Sequence, residues 1–339
     1  MAFKFGPIPY LELEFNQLGN APVGNPTSVS DWNTFFDLPN YGTPFTKVRI
    51  IGNIIRLYGG ENITLKSQIF QSRPLKKISD SKIIIKANDN SFYGCTSLTS
   101  VSLFGLINAG NYCFYNCTSL TSISLPSLTS AGNHCFRYCT SLTSISLQSL
   151  TSAGYRCFSD NSNLISVFLP VLDDTSDGWF VNCTSLQSVS LPSYKFVGSI
   201  TFYNCTSLTS ISLPIAKYIS TSAFENCTSL TSISLPLVEF LTGGSEFKNC
   251  TSLTSISLPA CINILYDLSF SSCTALTSIS LPVCIALGSS VLNNNLFLGI
   301  TGKTISLTIP ASRMTCNGGN PDGDIQYLQA NNTVTITTT

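Results

Sequence analysis

A phrase close to F-x-x-C-T-S-L-T-S-I-S-L-P occurs nine times between Phe92 and Leu281, and its period leaves this chain few ways to fold. The cysteine of the phrase falls at Cys95, Cys117, Cys139, Cys183, Cys205, Cys227, Cys250 and Cys273, with Asn161 in the fourth slot. The spacing is 22 residues as far as Cys227 and 23 afterwards. A period in the twenties built round L-x-x-I-x-L predicts a leucine-rich solenoid. Each unit carries more apolar side chains than it can bury alone, so the units must stack.

One repeat fixes the register. Ile123 and Leu125 alternate with Ser122 and Ser124, the period-two pattern of a half-buried strand. Pro126 ends the strand because it has no N–H for the ladder. Leu128 and Ala131 turn back inward and Phe136 re-enters the core before the next cysteine. Stacking predicts about ten turns with one parallel sheet, its strands about 4.8 Å apart. The outer face of that sheet should be a lattice of serines, interrupted at Phe168. The array is assigned to residues 75–310.

The flanks differ in composition. Six prolines punctuate residues 1–45, an aromatic segment in which Ser30 is expected to cap a short helix over Asp31–Phe36. Phe3, Phe5, Trp32, Phe35 and Phe36 are more aromatic surface than such a segment should bury alone, so residues 1–45 are expected to attach the chain to a partner or to a further copy. Residues 46–74 are expected to form a β cap over the raw edge of the array, and residues 311–339 a C-terminal cap. The Asn317–Asp324 stretch gathers oxygen ligands without the spacing of an EF-hand, so a calcium site there is left open.

Fourteen cysteines raise the question of disulfides or zinc. Eight share one register, and Cys113, Cys135 and Cys157 share a second, directly before the repeat phenylalanine. Cys261 and Cys284 occupy a slot filled elsewhere by Leu128, Leu150 or Val238. A residue that exchanges with leucine and valine behaves as a small buried hydrophobe. No Cys-x-x-Cys knuckle is present and His134 is the only histidine, so no metal and no cofactor is expected.

The wording F-x-N-C-T-S-L-T-S-I-S-L-P resembles the BspA-like, Treponema pallidum type, leucine-rich repeats. The resemblance implies an extracellular or surface-exposed adhesive role and no catalytic residues. Surface adhesins of this kind normally carry an export signal, whereas MAFKFGPIPYLELEF lacks a charged start followed by a long apolar run.

Net charge is zero and charged residues make up 10%, so nothing here neutralises phosphates and nucleic acid is an unfavourable partner. No apolar run is long enough to insert in a membrane. Catalysis is not expected: one histidine lacks a nucleophile and an orienting partner, and Asp173, Asp174 and Asp177 would sit on an outer loop without a cleft. The expected role is a non-enzymatic structural and binding protein of a virus-like particle, such as a phage tail-fibre, baseplate or decoration component. The alternative is a cell-surface adhesin or protein-interaction scaffold. Either way the location is a virion or an extracellular surface, and the partner is a protein or glycan of a host or cell surface, or other proteins of the assembly. Variation between turns concentrates after the proline, and Phe168, Asp173, Asp174, Asp177 and Trp179 mark the most divergent turn, the expected binding residues. Phe168 on the sheet face and Trp179 beyond the strand's end are expected on two different surfaces, with the return path of Asp173, Asp174, Asp177 and Trp179 as the contact face.

Overall fold

A computed structural model describes residues 9–15, 28–38, 40–51, 54–287, 295–315 and 321–339. The chain divides into two compact units, residues 1–164 and 165–339. Both are repeat stacks with the predicted register.

In the first unit β1 (Tyr10–Phe15) lies antiparallel between β3 (Ile54–Tyr58) and β5 (Leu75–Asp80), with β2 (Lys47–Ile51) outside β3. β5 then pairs in parallel with Ser100–Leu103, and that strand with Ser122–Ser124. The antiparallel strands therefore cap the array. In the second unit Ser166–Phe168 pairs with Ser188–Ser190 and Ser210–Ser212 with Ser232–Ser234. Ser255–Ser257, Ser278–Ser280, Thr304–Ile309 and Thr333–Thr338 follow in one parallel ladder. Val101, Ile145, Val167, Ile211 and Ile256 are buried while their flanking serines face outward, as alternation requires.

Most turns make a second strand that sequence reading did not anticipate; the divergent turn, residues 170–180, makes none. Ile63–Leu65 (β4), Ile84–Ala87, Asn108–Ala109, Ser130–Ala131 and Ser152–Ala153 form a parallel ladder in the first unit. Phe196–Val197, Tyr218–Ile219, Phe240–Leu241, Asn263–Ile264 and Ala286–Leu287 form its counterpart in the second. Most of these strands are two residues long, too short to show an alternation. Each unit therefore carries two narrow parallel ladders, with one strand from most turns in each, rather than one sheet.

Between the ladders runs a column of phenylalanines. Phe70, Phe92, Phe114, Phe136 and Phe158 stack 4.8–5.7 Å apart in the first unit. Phe180, Phe202, Phe224, Phe247, Phe270 and Phe297 stack 5.1–5.7 Å apart in the second. The repeat threonines explain themselves at the same time: Thr121 Oγ1 donates to the Thr99 carbonyl and Thr231 Oγ1 to Thr209, one turn back.

The N-terminal helix α1 (Val29–Phe36) starts two residues earlier than expected. Ser28, not Ser30, is the cap, accepting from the Asp31 N–H at 3.2 Å. Trp32 and Phe36, four residues apart on one face, are completely buried. Phe36 packs against Phe45 and Phe70, and Phe35 against Phe70. The helix thus covers the first ring of the phenylalanine column. This corrects the expectation that Trp32 and Phe36 are docking aromatics: Phe45, at the end of the same segment, and Phe70, in the array, supply their apolar partners. Phe3 and Phe5 lie outside the described residues. At the other end α2 (Gly323–Asn331) buries Ile325 and Leu328.

Candidate binding surfaces

The cysteine column is structural, and it does more than fill space. The thirteen described cysteines are free and buried. In the main register each thiol of Cys95, Cys117, Cys139, Cys205, Cys227, Cys250 and Cys273 donates to the carbonyl of a repeat phenylalanine (Phe70 in the first turn), at 2.9–3.2 Å. Asn161 imitates this bond, its amide donating to the Phe136 and Phe158 carbonyls at 3.0 and 2.7 Å. Its buried Oδ1 is left without a partner. Cysteine is favoured because it is both small and a donor, whereas leucine would leave the carbonyl with one bond fewer. Burial pushes the thiols of Cys95, Cys227 and Cys273 up to about 12, so they are not nucleophiles.

The Asn-Cys-Thr triplets also have a backbone cause. Asn116, Asn182, Asn204, Asn226 and Asn249 sit at φ 58–65°, the left-handed region that asparagine tolerates better than most side chains. Asn204 donates to Asn182 at 3.0 Å and Asn249 to Asn226 at 2.8 Å, forming an amide ladder.

Buried carboxylates tie loops. Glu246 accepts from the Gly243 and Gly244 N–H groups and from Ser269 Oγ, while burial raises its pKa. Asp322 caps α2 by accepting from the Asp324 N–H, and Asp324 Oδ1 accepts from the Leu296 N–H at 2.9 Å. Asp322 and Asp324 Oδ1 are engaged in this way while the buried Asp324 Oδ2 has no partner; residues 317–320 of their stretch lie outside the described residues. Among the described residues no cluster of His, Cys, Asp or Glu side chains is arranged to hold a metal ion, and no helix is long and apolar enough to cross a membrane.

The divergent turn does not form one site. Phe168 stands on the serine face, 42% exposed. Asp173 is exposed on the return path, paired with Lys195 at 2.5 Å. Asp174 folds back on the Ser176 N–H and hydroxyl, and Asp177 Oδ1 accepts from the Ser199 N–H at 2.6 Å. Trp179 is 0% exposed and packs on Tyr194 with ring centroids 4.9 Å apart. The expectation of an exposed contact tryptophan is therefore corrected. Trp179 directly precedes Phe180, the slot of Cys113, Cys135 and Cys157, and that slot points inward.

What the return path does present is a row on the outer side of the second ladder. Phe196, Tyr218 and Phe240 are half-buried neighbours, with centroids 5.9 and 5.5 Å apart. Beside them run two ion pairs between adjacent turns, Asp173–Lys195 and Lys217–Glu239 at 2.8 Å. Farther along, Leu237, Ile262, Val283 and Ile285 are exposed, Ile285 by 57%. Side chains on this face vary from turn to turn while the first ladder, apart from Phe168, repeats serine, so this face carries more chemical detail than the serine face.

A family model for the BspA type leucine rich repeat region, in 6 copies, matches residues 63–187 and 195–312. The fold is similar to a leucine-rich repeat protein of T. pallidum, 27% identical over 52% of this chain and 83% of that one, with a TM-score of 0.37. It is similar to a leucine-rich cell surface protein of Faecalibacterium prausnitzii, 22% identical over 71% and 86%, TM-score 0.34. The pneumococcal vaccine antigen PcpA is 14% identical over 76% and 74%, TM-score 0.38. A search of the curated proteins returns no match. The match to the repeat model spans most of the array, and the chain belongs to the BspA-type leucine-rich repeat family.

Proposed function

We propose that this chain is a non-enzymatic binding scaffold of an exposed surface, engaging a macromolecular partner through the outer side of the second ladder in residues 165–339. The observation that carries the reading is the contrast between two faces of one unit. The first ladder offers Ser188, Ser190, Ser210, Ser212, Ser232 and Ser234, a lattice of one chemistry that solvates the sheet and encodes little. The second offers aromatic edges, exposed aliphatics and paired charges, the mixture of contact surfaces. From Asp173 to Ile285 there are five steps between turns, about 24 Å at the strand spacing, room for a protein-sized contact.

A cell-surface adhesive scaffold is favoured over a virion component. The particle reading drew on free aromatics to anchor the chain, and Trp32 and Phe36 are engaged within its own cap. Replacing Tyr218 and Phe240 together by serine tests the proposal. Binding of the labelled protein to its target cells should fall at least tenfold while the melting temperature moves little, since both rings are only half-buried. Undiminished binding would remove this face from consideration.

A further inference from the structure

The first unit carries a different surface, and its composition is not required by the fold. Between the second ladder and the cysteine column, four consecutive turns present Tyr93, Tyr112, Tyr115, His134, Arg137, Tyr138, Tyr155 and Arg156. Tyr93 stacks on Tyr115 at 5.0 Å and Tyr112 on His134 at 4.9 Å. Tyr138 and Tyr155 turn edge-on to that stack, at 85° to Tyr115 and 87° to His134. Corresponding slots of the second unit hold Gly178, Ile200, Ser222 and Ser245, with the same backbone turn at positive φ. The slot of Tyr112, His134 and Arg156 therefore accepts almost any side chain. In the slot of Tyr93, Tyr115 and Arg137 the second unit holds Val181, Tyr203, Glu225 and Lys248, so a dense run of tyrosines with two arginines is found only in the first unit.

The two arginines are used differently. Arg137 is engaged on every side: Nε donates to Asp160 at 2.7 Å, a terminal nitrogen donates to the Tyr138 hydroxyl at 3.1 Å, and the guanidinium lies 4.7 Å from the Tyr138 ring. Arg156 lies over the Tyr155 ring at 5.3 Å, with no carboxylate paired to it among the described residues, and its buried Nε has no acceptor. One cation is thus neutralised and one is not. The surplus positive field is felt by His134, whose pKa is lowered by burial and by both arginines.

We infer that this cluster binds a carboxylated sugar, with Arg156 taking the carboxylate and Tyr155, Tyr138 and Tyr112 supplying rings and hydroxyls to the pyranose. Size decides between a sugar and a protein. Eight side chains of about 200 Å² each, about a quarter exposed, offer about 400 Å². A stable protein interface needs about 800 Å² per partner. Three steps between turns span about 14 Å, the reach of two or three sugar units. An unpaired guanidinium beside aromatic rings suits a planar carboxylate better than a neutral saccharide.

The inference rests on the reading of the chain as a binding scaffold, but it uses a surface separate from Tyr218 and Phe240. Calorimetric titration of the full chain with tetragalacturonic acid and with sialyllactose tests it, with the methyl ester of each as the uncharged control. At least one acid should bind tenfold or more tightly than its ester. Arg156→Gln and Tyr155→Ser should each weaken that binding at least tenfold with an unchanged melting temperature, and Tyr218→Ser should leave it intact. Equal affinity for acid and ester, no binding of either acid, or binding indifferent to Arg156→Gln would overturn it. Oligoglutamate binding as tightly as the acidic sugars would also overturn it, in favour of an acidic peptide.

Discussion

Replacing Trp179 by alanine should unfold its unit far more readily, because this side chain belongs to the core and not to a contact surface. The indole is 0% exposed and lies against Tyr194, itself 0% exposed, whose hydroxyl accepts from the Gly198 N–H at 3.0 Å. A buried tryptophan removes about 250 Å² from water, about 6 kcal/mol at 25 cal/mol per Å². Alanine keeps a fraction of that burial, and the unfolded chain already hides some of the area, which lowers the loss to about 3–5 kcal/mol. The neighbouring phenylalanine rows are fixed by stacking and cannot collapse into the gap. Trp179→Cys, which restores the residue found in this slot at Cys113, Cys135 and Cys157, should cost less than Trp179→Ala. Asp173→Ala breaks only an exposed ion pair and should cost below about 1 kcal/mol. Urea unfolding followed by far-UV circular dichroism measures all three. Trp32 is then the sole remaining indole in both Trp179 variants, so its fluorescence reports the first unit separately. A Trp179→Ala chain as stable as wild type would refute the inward register.

Other consequences can be measured on the same material. Asn161→Cys should raise stability by about 1 kcal/mol, because a thiol keeps the bond to the Phe136 carbonyl and removes the unpartnered Oδ1; a lower melting temperature would contradict the donor role of the cysteine column. The thirteen described thiols should resist a disulfide reagent at pH 8 in the native protein and react once unfolded, and rapid native reaction would show that the column is open. Burial holds the Asp324 carboxyl up at about 7, so between pH 4 and 7 the folded chain binds more protons than the unfolded one. Its contribution is therefore complete below about pH 4 and lost as pH rises through 7, by at most about 4 kcal/mol. Asp324→Asn should flatten that slope in melting temperature against pH, and an unchanged slope would place its cause elsewhere.

Most of the fold was legible because the repeat samples each slot many times. The strand register, the phenylalanine return and the buried cysteines follow from alternation and from the exchange of cysteine with leucine. Trp179 could have been placed by the same rule, since it directly precedes a repeat phenylalanine, but its size and its acidic neighbours suggested a surface instead. The second ladder was hidden because two residues cannot display a period. The burial of Trp32 and Phe36 was not legible because the ring that closes over Phe36 from the array, Phe70, is distant in sequence, so the segment looked short of apolar company. The row proposed for contact was half visible. Variation after the proline is plain in the sequence, but only the ladder brings the rings of Phe196, Tyr218 and Phe240 together.

The central claim is that recognition uses the outer side of the second ladder while the serine lattice only solvates the first. A photo-crosslinking amino acid placed singly at Tyr218, or at Ser212 on the opposite ladder, tests it on intact target cells. Irradiation should join the chain to a cell-surface macromolecule from position 218 and leave it unjoined from position 212. Adducts from position 212 alone would contradict the account and make the serine face the site of recognition.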